Sequence, residues 1–227
     1  MNLENRIGFR INTGITRSNK DLLERFKEIG TCAISDAMKG FNTMHHSIKP
    51  IDEETKFAGN AITVRMRSAD NLMLHKAIQL AKEGDIIVVD TYGSDSNSIL
   101  GEMMTTAALK NGVAGIVIDG GIRDILELKK MKAPIFTKTV TPSLGGKHGP
   151  GEINFPVSCG GVTVSPGDII IGDANGVVVV NQSMAEDVLA KAEEKVALDE
   201  KWYKSILDGN IIRPDIEEDL RKNGIVD

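Results

Sequence analysis

VAGIVIDGGIRDILE, residues 113–127, decides our interpretation of the whole chain. An apolar run at 113–118 ends in a glycine turn, Arg123 and Asp124 follow side by side, and a helical pattern begins after them. A buried strand followed by a turn and a helix is the repeating unit of parallel α/β sheets. Ligands of such sheets gather beyond the carboxyl ends of the strands. We therefore expect Arg123 and Asp124 to form the functional end of the protein.

The chemistry of the two side chains supports that expectation. The planar guanidinium of Arg123 matches a carboxylate through two parallel hydrogen bonds. The carboxylate of Asp124 is a hard oxygen ligand suited to Mg²⁺ or Mn²⁺, and Mg²⁺ habitually takes few protein ligands and keeps its water. The alternative is a surface ion pair in which Asp124 caps the following helix, because aspartate is a preferred N-cap residue.

Periodicity and turn residues predict the elements that precede this stretch. The order β-α-β-α-β predicts a parallel sheet. The predicted elements are a helix capped by Ser18 and ended by Gly30, a brief helix from Ser35 to Gly40, a loop at 41–58, a strand at 61–67, a helix at 71–82 capped by Asp70, a strand at 86–89 and a helix at about 98–110.

The second half of the chain has a different pattern. A glycine-rich loop at 142–151 follows a strand that starts at Pro134, and turn signals separate the short apolar runs beyond it. We expect a β-rich layer added to the parallel unit, with strands at 162–164, 169–171 and 177–180. A long helix at about 183–207 and a polar tail at 208–227 follow. With an irregular arm at 1–17 and no linker, the pattern favours one α/β domain over 1–227, its core at about 20–205.

The charge, the apolar runs and the cysteines of the sequence limit the kinds of partner and environment that we expect. The net charge of -5 gives no support to a nucleic-acid partner. No run approaches the roughly 20 apolar residues that a membrane span requires, and the N-terminus has no apolar signal core. Cys32 and Cys159 form no C-x-x-C pair, and two cysteines make no disulfide framework. We expect two reduced thiols in a cytoplasmic protein.

Two further segments are candidates for binding an anion. Gly101-Glu102-Met103-Met104 stands at the start of a helical pattern, where free backbone N–H groups can hold an anion and glycine permits close approach. The alternative is a packing glycine followed by core methionines. The loop at 145–151 carries Lys147, which could contact a substrate carboxylate, and the alternative is a flexible connection.

Other familiar site patterns are absent from the sequence. The four histidines, at 45, 46, 75 and 148, have no zinc-ligand spacing, so we assign none of them to a metal. No P-loop or Rossmann fingerprint is present, and no G-x-S-x-G motif marks a nucleophilic serine. Cys159 is better explained as a small buried residue than as a nucleophile.

Taken together, these motifs resemble the RraA-like family. It includes metal-dependent 4-hydroxy-4-methyl-2-oxoglutarate / 4-carboxy-4-hydroxy-2-oxoadipate aldolases and the regulator of ribonuclease activity A. The resemblance covers roughly residues 20–205. The similar segments are TCAISDAMKG, GEMMTTAALKNGVAGIVIDGGIRDILEL, PIFTKTVTPS and GPGEINFPVSCGGVTVSPGDIIIGDANGVVVV.

The resemblance implies a layered β/β/α swivelling-domain-like fold and a trimer or hexamer with sites between subunits. It implies that Asp124 binds a divalent metal, that Arg123 holds the substrate carboxylate and that the amides of Gly101–Met104 contact pyruvate. Asn71 and Lys147 would lie near the substrate. An acidic residue of the C-terminal helix, Asp199 or Glu200, would reach a neighbour's site.

One position departs from the aldolases, which carry aspartate where this chain has Glu102. The carboxylate is kept but its side chain is one methylene longer, so the difference bears on the choice of substrate more than on the metal. The implied reaction is cleavage of a 4-hydroxy-2-oxo acid to pyruvate, with metal and Arg123 stabilising the enolate. A water or hydroxide on the metal, assisted by Glu102 or a neighbour's carboxylate, would act as the base. Oxaloacetate decarboxylation would form the same enolate.

Two other functions compete with a lyase. The first is a non-catalytic protein that inhibits a ribonuclease, as the regulator does, because regulator-like members also carry an Arg-Asp pair. The second is a methyltransferase, a label attached to some such sequences. The chain lacks a glycine-rich loop in a nucleotide-binding context, which argues against the methyltransferase.

Overall fold

The structure is a computed structural model that describes residues 8–226. Its strands are β1 (Lys49–Pro50), β2 (Phe57–Met66), β3 (Ile86–Asp90), β4 (Ser98–Leu100), β5 (Gly115–Ile122), β6 (Ile135–Val140), β7 (Gly151–Ile153), β8 (Val157–Cys159), β9 (Val162–Val164), β10 (Ile169–Asp173) and β11 (Gly176–Val180). Its α-helices are α1 (Lys20–Ile29), α2 (Thr31–Ala37), α3 (Leu72–Leu80), α4 (Glu102–Lys110), α5 (Ile125–Lys130), α6 (Ala185–Leu207) and α7 (Pro214–Lys222).

The centre of the fold is a parallel sheet, as the sequence predicts. The main sheet has the order β1-β6-β5-β3-β2-β10-β11, with β4 beside β5 and β7 beside β2. Strands β2, β3, β5 and β6 run parallel. Strand β3, with the sequence IIVVD, is buried along its whole length, because both faces of the sheet are covered.

Different partners cover the two faces. On one face, apolar side chains of the parallel strands pack with residues of α3, α4 and α5, including Leu74, Ala108 and Leu128. On the other face they pack with the β8–β9 hairpin and with β10 and β11. A third cluster joins β10 and β11 to α1, α2 and the start of α6. The predicted α/β class and the added β layer are confirmed.

The long C-terminal helix is also confirmed, and only its beginning packs on the body. Helix α6 has 23 residues, and its buried residues, Ala185, Val188, Leu189 and Ala192, all lie in its first half. The second half and α7 carry exposed apolar side chains. We call residues 196–226 the C-terminal arm. The predicted polar tail thus contains a helix that the sequence analysis missed.

The predicted helix at 98–110 is wrong at its start. Residues Ser98–Leu100 form strand β4, which pairs with β5, and the Ser98 amide donates to the Ser143 carbonyl at 2.8 Å. Gly101 is extended, so α4 begins only at Glu102. Pairing with a neighbouring strand has overridden the local helical pattern.

Smaller differences concern caps and ends. Asn19, not Ser18, caps α1, accepting from the Leu22 amide at 2.8 Å, and Gly30 ends that helix as predicted. Helix α3 stops at Leu80, two residues early. The predicted loop at 41–58 contains β1 and the first residues of β2. Residues 8–17 form no helix or strand, as predicted; the rest of the predicted arm, residues 1–7, lies outside the described residues.

Within residues 8–226, no helix combines the length and the apolar character that crossing a bilayer demands. Both cysteines are free, Cys32 exposed and Cys159 buried. Burial raises the pKa of the Cys159 thiol far above its ordinary value, and the neighbouring carboxylates of Asp119 and Asp90 raise it further. The thiol is therefore an inert core group, in agreement with the prediction.

Candidate functional site

Arg123 and Asp124 lie directly beyond the carboxyl end of β5. The Arg123 amide donates to the Leu100 carbonyl at 3.0 Å, which ties the turn to the end of β4. Asp124 has a left-handed backbone with φ 59°, a conformation that costs free energy for any residue other than glycine. Gly121 lets β5 approach the residue that precedes β4, because a Cβ at Gly121 would lie 2.7 Å from the Asn97 carbonyl oxygen.

The left-handed turn aims the Asp124 carboxylate at a helix other than its own. Asp124 stands at the N-cap position of α5 but makes no side-chain cap there. Its Oδ2 accepts instead from the Glu102 amide, the first of α4, at 3.0 Å. The alternative in which Asp124 caps the following helix is therefore wrong. The ion pair in that alternative is present, with Arg123 Nε 3.7 Å from Asp124 Oδ2.

The side chains of Arg123 and Asp124 occupy the space into which a side chain at position 101 would point, so glycine fits there. A Cβ at Gly101 would overlap Asp124 Oδ2 and lie 3.1 Å from Arg123 Cγ. Beyond Gly101, the amides of Met103 and Met104 have no intrahelical acceptor, since they belong to the first turn of α4. The predicted segment Gly101–Met104 and the Arg123–Asp124 pair thus converge on one point of the surface.

The amide group of Asn71 reaches the same segment. Asn71 is buried, and its Nδ2 donates to the Ile99 carbonyl at 3.1 Å and contacts Met104 Sδ at 3.4 Å. Its Oδ1 is buried and has no hydrogen-bond partner among residues 8–226. A buried carbonyl oxygen without a donor is rare in proteins. It is an acceptor available to a ligand or an ordered water.

Lys147 is exposed on the glycine-rich loop, and the structure does not bring it to the pair. No hydrogen bond or ion pair in the described part of the chain joins it to Arg123 or Asp124. Burial lowers the pKa of His75, and the charge of nearby Lys147 lowers it further. Lys147 therefore lies beside α3, the helix that begins directly after Asn71.

Asp70 has a role that the sequence does not predict. The predicted helix cap is wrong by one residue, because Asn71 occupies the N-cap position of α3. One Asp70 oxygen accepts from the Leu72 amide at 2.9 Å. The other accepts from the amides of His148 and Gly149 at 2.6 and 3.0 Å. The loop that carries Lys147 is therefore attached to the start of α3. Two interactions between residues about 80 positions apart leave no signal in sequence spacing.

Asp199 and Glu200 lie on the C-terminal arm, apart from Arg123 and Asp124 in this chain. Asp199 pairs with Lys195 on the same helix. Both acids line a cavity of about 490 Å³ together with Trp202 and Tyr203. A single copy does not assemble these acids with the pair.

The pair offers few ligands to a cation. Residues 8–226 contain no group of three or more His, Cys, Asp or Glu side chains placed to hold a metal. Asp124 Oδ1 makes no hydrogen bond with these residues, and the side chain is 38% exposed. Glu102, whose amide donates to Asp124 Oδ2, is also exposed. One or two solvent-facing carboxylates suit Mg²⁺, which keeps most of its water, and do not suit zinc, which takes three or four protein ligands.

Comparisons with known proteins identify the family of the chain. The family model "RraA-like: Aldolase/RraA" matches residues 31–179. A protein of Halalkalibacterium halodurans, provisionally named a 4-hydroxy-4-methyl-2-oxoglutarate aldolase, is 41% identical over 86% of this chain and 92% of its own.

Two solved structures have similar folds. An uncharacterised protein of Pseudomonas syringae superimposes with a TM-score of 0.79 at 26% identity, covering 87% of this chain and 93% of that one. Streptomyces coelicolor RraAS2, described as an unusual member of the RNase ES inhibitor RraA family, gives 0.69 at 26% identity over 86% and 100%. The matched model spans most of the chain, so the protein belongs to the RraA-like, Aldolase/RraA family.

Proposed function

We propose that this protein is a divalent-metal-dependent lyase that cleaves a 4-hydroxy-2-oxo acid to pyruvate. One observation carries the proposal: a guanidinium, a carboxylate with one free oxygen and the open N-terminus of α4 meet where Gly101 leaves room. Relatives named as aldolases of such an acid support the choice of reaction.

Each residue of the site would have a role that follows from its chemistry. Asp124 would hold a Mg²⁺ or Mn²⁺ ion through its free oxygen, and Asn71 Oδ1 offers a further acceptor nearby. When bound, the ion acts as a Lewis acid toward the 2-oxo acid. Arg123 pairs with the substrate carboxylate and with the negative charge that appears on the enolate oxygen. The Met103 and Met104 amides donate to the same anionic end.

A base must remove the proton of the C4 hydroxyl as the C3–C4 bond breaks. The bond's electron pair then becomes the enolate of pyruvate, and the C4 oxygen becomes a carbonyl. Besides Asp124, the described residues place the exposed Glu102 at the site, since its amide donates to Asp124. We therefore assign the base to Glu102, directly or through a water. Loss of CO₂ from oxaloacetate gives the same enolate, and we propose that activity as well.

We also propose that the site works in a homo-oligomer, a trimer or a dimer of trimers. Exposed apolar side chains border the pair and its neighbouring loop, namely Met103, Leu126, Val140 and Leu144. The C-terminal arm carries further exposed apolar residues and the acids Asp199 and Glu200. Contact between one copy's arm and another's site would bury both surfaces. Light scattering after size exclusion tests the proposal: a mass of one chain would refute it.

The decisive experiment measures pyruvate released from 4-hydroxy-4-methyl-2-oxoglutarate and from oxaloacetate. We expect release with Mg²⁺, none with EDTA, recovery when Mg²⁺ is restored, and none with Asp124→Asn. The matched control is Asp21→Asn, which removes an exposed carboxylate from α1 and should keep full activity. Pyruvate release that survives both EDTA and Asp124→Asn would reject the metal-dependent lyase.

A ribonuclease regulator without catalysis is the second candidate, favoured by the names of two structural neighbours. The RraAS2 structure is one, and an RNA-processing inhibitor of Thermus thermophilus is the other, with a TM-score of 0.60 over 65% of this chain. That function predicts inhibition of a ribonuclease by the Asp124→Asn variant as strongly as by the original protein, together with no pyruvate from either acid.

A further inference from the structure

A row of charged residues crosses the sheet on the face opposite to α4. Glu152, Arg65, Asp90 and Asp119 stand side by side on β7, β2, β3 and β5. The β8–β9 hairpin covers this row, with the amides of Ser158 and Gly160 donating to the carboxylates of Asp90 and Asp119. We call this set, with its outer partners Arg10 and Lys138, the charge row.

The charge row is balanced within itself. Arg10 forms a two-pronged pair with Glu152 at 2.7 and 2.8 Å, and Lys138 Nζ lies 3.8 Å from Asp119 Oδ1. Arg65 lies between Glu152 and Asp90 on the neighbouring strands, with its Nε 3.6 Å from Asp90 Oδ2. Three cations thus match three anions.

Arg67 adds a positive charge that this balance does not use. It lies two residues beyond Arg65, and its guanidinium is exposed. Within residues 8–226 no carboxylate oxygen comes within 4.0 Å of it. An arginine without a counter-ion beside a balanced row gives the surface a local excess of one positive charge.

The two arginines line one cavity. It has a volume of about 440 Å³ and is bordered by Arg65, Arg67 and Tyr92 together with Gly8, Arg10, Met66, Pro150, Gly151 and Glu152. A second cavity of about 510 Å³ shares Arg65 and Tyr92 and continues over Asp90 and Asp119. Arg65 Nε is buried and donates no hydrogen bond to the described residues. This Nε faces Asp90, and Arg65 Nη2 donates to the Pro156 carbonyl at 2.7 Å, so the charge that the cleft holds in excess is that of Arg67.

Tyr92 stands at the junction of the two cavities in a strained conformation. Its backbone is left-handed, with φ 58°, which is uncommon for an aromatic residue. Asp90 Oδ1 holds it by accepting from the Tyr92 amide at 2.8 Å. The side chain is nonetheless 72% exposed. Strain that the surroundings maintain commonly accompanies a functional position, and here it presents an aromatic ring beside two guanidinium groups.

We propose that this cleft is a second ligand site, for a small molecule that joins an oxyanion to a planar group. The oxyanion, a phosphate or a carboxylate, would accept from the guanidinium groups of Arg67 and Arg65, and the planar group would lie against Tyr92. The cleft opens on the hairpin face, whereas Arg123 and Asp124 stand at the start of α4 on the helical face. The proposal is therefore independent of the lyase function.

The test is calorimetric titration of the full-length protein with inorganic phosphate, phenyl phosphate and acetate. Arg67→Gln should weaken phosphate binding by about five-fold or more, the effect of one exposed charged contact. Phenyl phosphate should bind more tightly than inorganic phosphate, and Tyr92→Ala should remove that advantage. Acetate bound as tightly as phosphate would indicate a carboxylate ligand, and a preference for phosphate a phosphorylated one.

Two variants serve as controls. Arg221→Gln removes an exposed arginine of α7 and should leave binding unchanged. Arg123→Gln locates the bound probe, because loss of binding in this variant alone would place the anion at the lyase site and not in this cleft. A second readout is the Nε–Hε resonance of Arg65, assigned by its loss in Arg65→Lys, which should shift during titration. The proposal fails if no probe binds, if Arg221→Gln weakens binding as much as Arg67→Gln, or if Arg123→Gln alone abolishes it.

Discussion

Asp70 and Asp124 occupy similar places and are used differently. Each lies in a turn that leads into a helix, and each carboxylate accepts from backbone amides. Asp70 is 5% exposed and accepts from three amides, those of Leu72, His148 and Gly149. The Asp124 side chain is 38% exposed and accepts from one, that of Glu102.

The difference shows which aspartate can bind a ligand. A carboxylate saturated by partly buried N–H donors would lose those bonds if it turned to a ligand, and a fully buried donor left without a partner costs about 1–3 kcal/mol. Asp70 is therefore part of the framework. Asp124 keeps one oxygen free, so it can bind a cation without breaking the cap on α4. The following predictions test this contrast, from the largest expected effect to the smallest.

Replacing Asp124 should abolish activity and leave the fold intact. With Asp124→Asn we expect kcat/KM for pyruvate release to fall by about 10³-fold or more, since removing a group that stabilises developing charge has effects of that order. The free energy of unfolding in urea should change by no more than about 1 kcal/mol, the usual worth of a helix cap. The assignment would be contradicted if the free energy of unfolding fell by more than the free-energy equivalent of the loss in kcat/KM.

Replacing Asp70 should have the opposite outcome. Asp70→Ala leaves the amides of His148 and Gly149 without their acceptor, so we expect a loss of about 2–4 kcal/mol in the free energy of unfolding. At a temperature where the variant is folded, kcat should fall far less than in Asp124→Asn. Protease cleavage within 142–151 should become faster, which limited proteolysis with mass spectrometry can measure. Unchanged stability would show that the loop needs no anchor.

Gly101→Ala should disturb Asp124 through contact alone. Gly101 is extended, with φ −147°, so alanine can adopt its backbone conformation, but its Cβ would displace the Asp124 carboxylate. We expect kcat/KM to fall by about 10-fold while stability changes by less than about 1 kcal/mol, because an exposed side chain can move aside cheaply. Gly14→Ala, whose Cβ would meet only ordinary contacts, is the control and should match the original protein.

The smallest effect concerns pH and Glu152. The hydrogen bond from Arg10 holds the pKa of Glu152 below its ordinary value of 4.5. A lowered folded-state pKa stabilises the fold above pH 4.5, and this stabilisation disappears as the pH falls through the folded-state pKa. Glu152→Gln should therefore have a lower urea midpoint than the original protein at pH 7. The two midpoints should approach each other below pH 4.5, and a gap that widens in acid would refute the assignment.

Sequence reasoning succeeded where short-range pattern decides structure. The apolar run before Arg123 predicts a buried strand, and β5 is one. The position of the Arg-Asp pair beyond that strand followed from the rule for parallel sheets. The helix predicted to begin at Ser98 was wrong, because Ser98–Leu100 pair with β5, whose pairing residues lie about 22 positions away. No local pattern records such a pairing.

The sequence by itself determined the class of the fold, the family and the chemistry of the candidate residues. Alternation, turn residues and side-chain type are local properties, and they suffice for these. Only the tertiary structure decided that Asp70 is saturated and Asp124 is not, and that Arg65, Arg67 and Tyr92 share a cleft. The physical reason is that a carboxylate's availability depends on which amides the folded chain brings to it, and those of Glu102 and His148 come from distant segments.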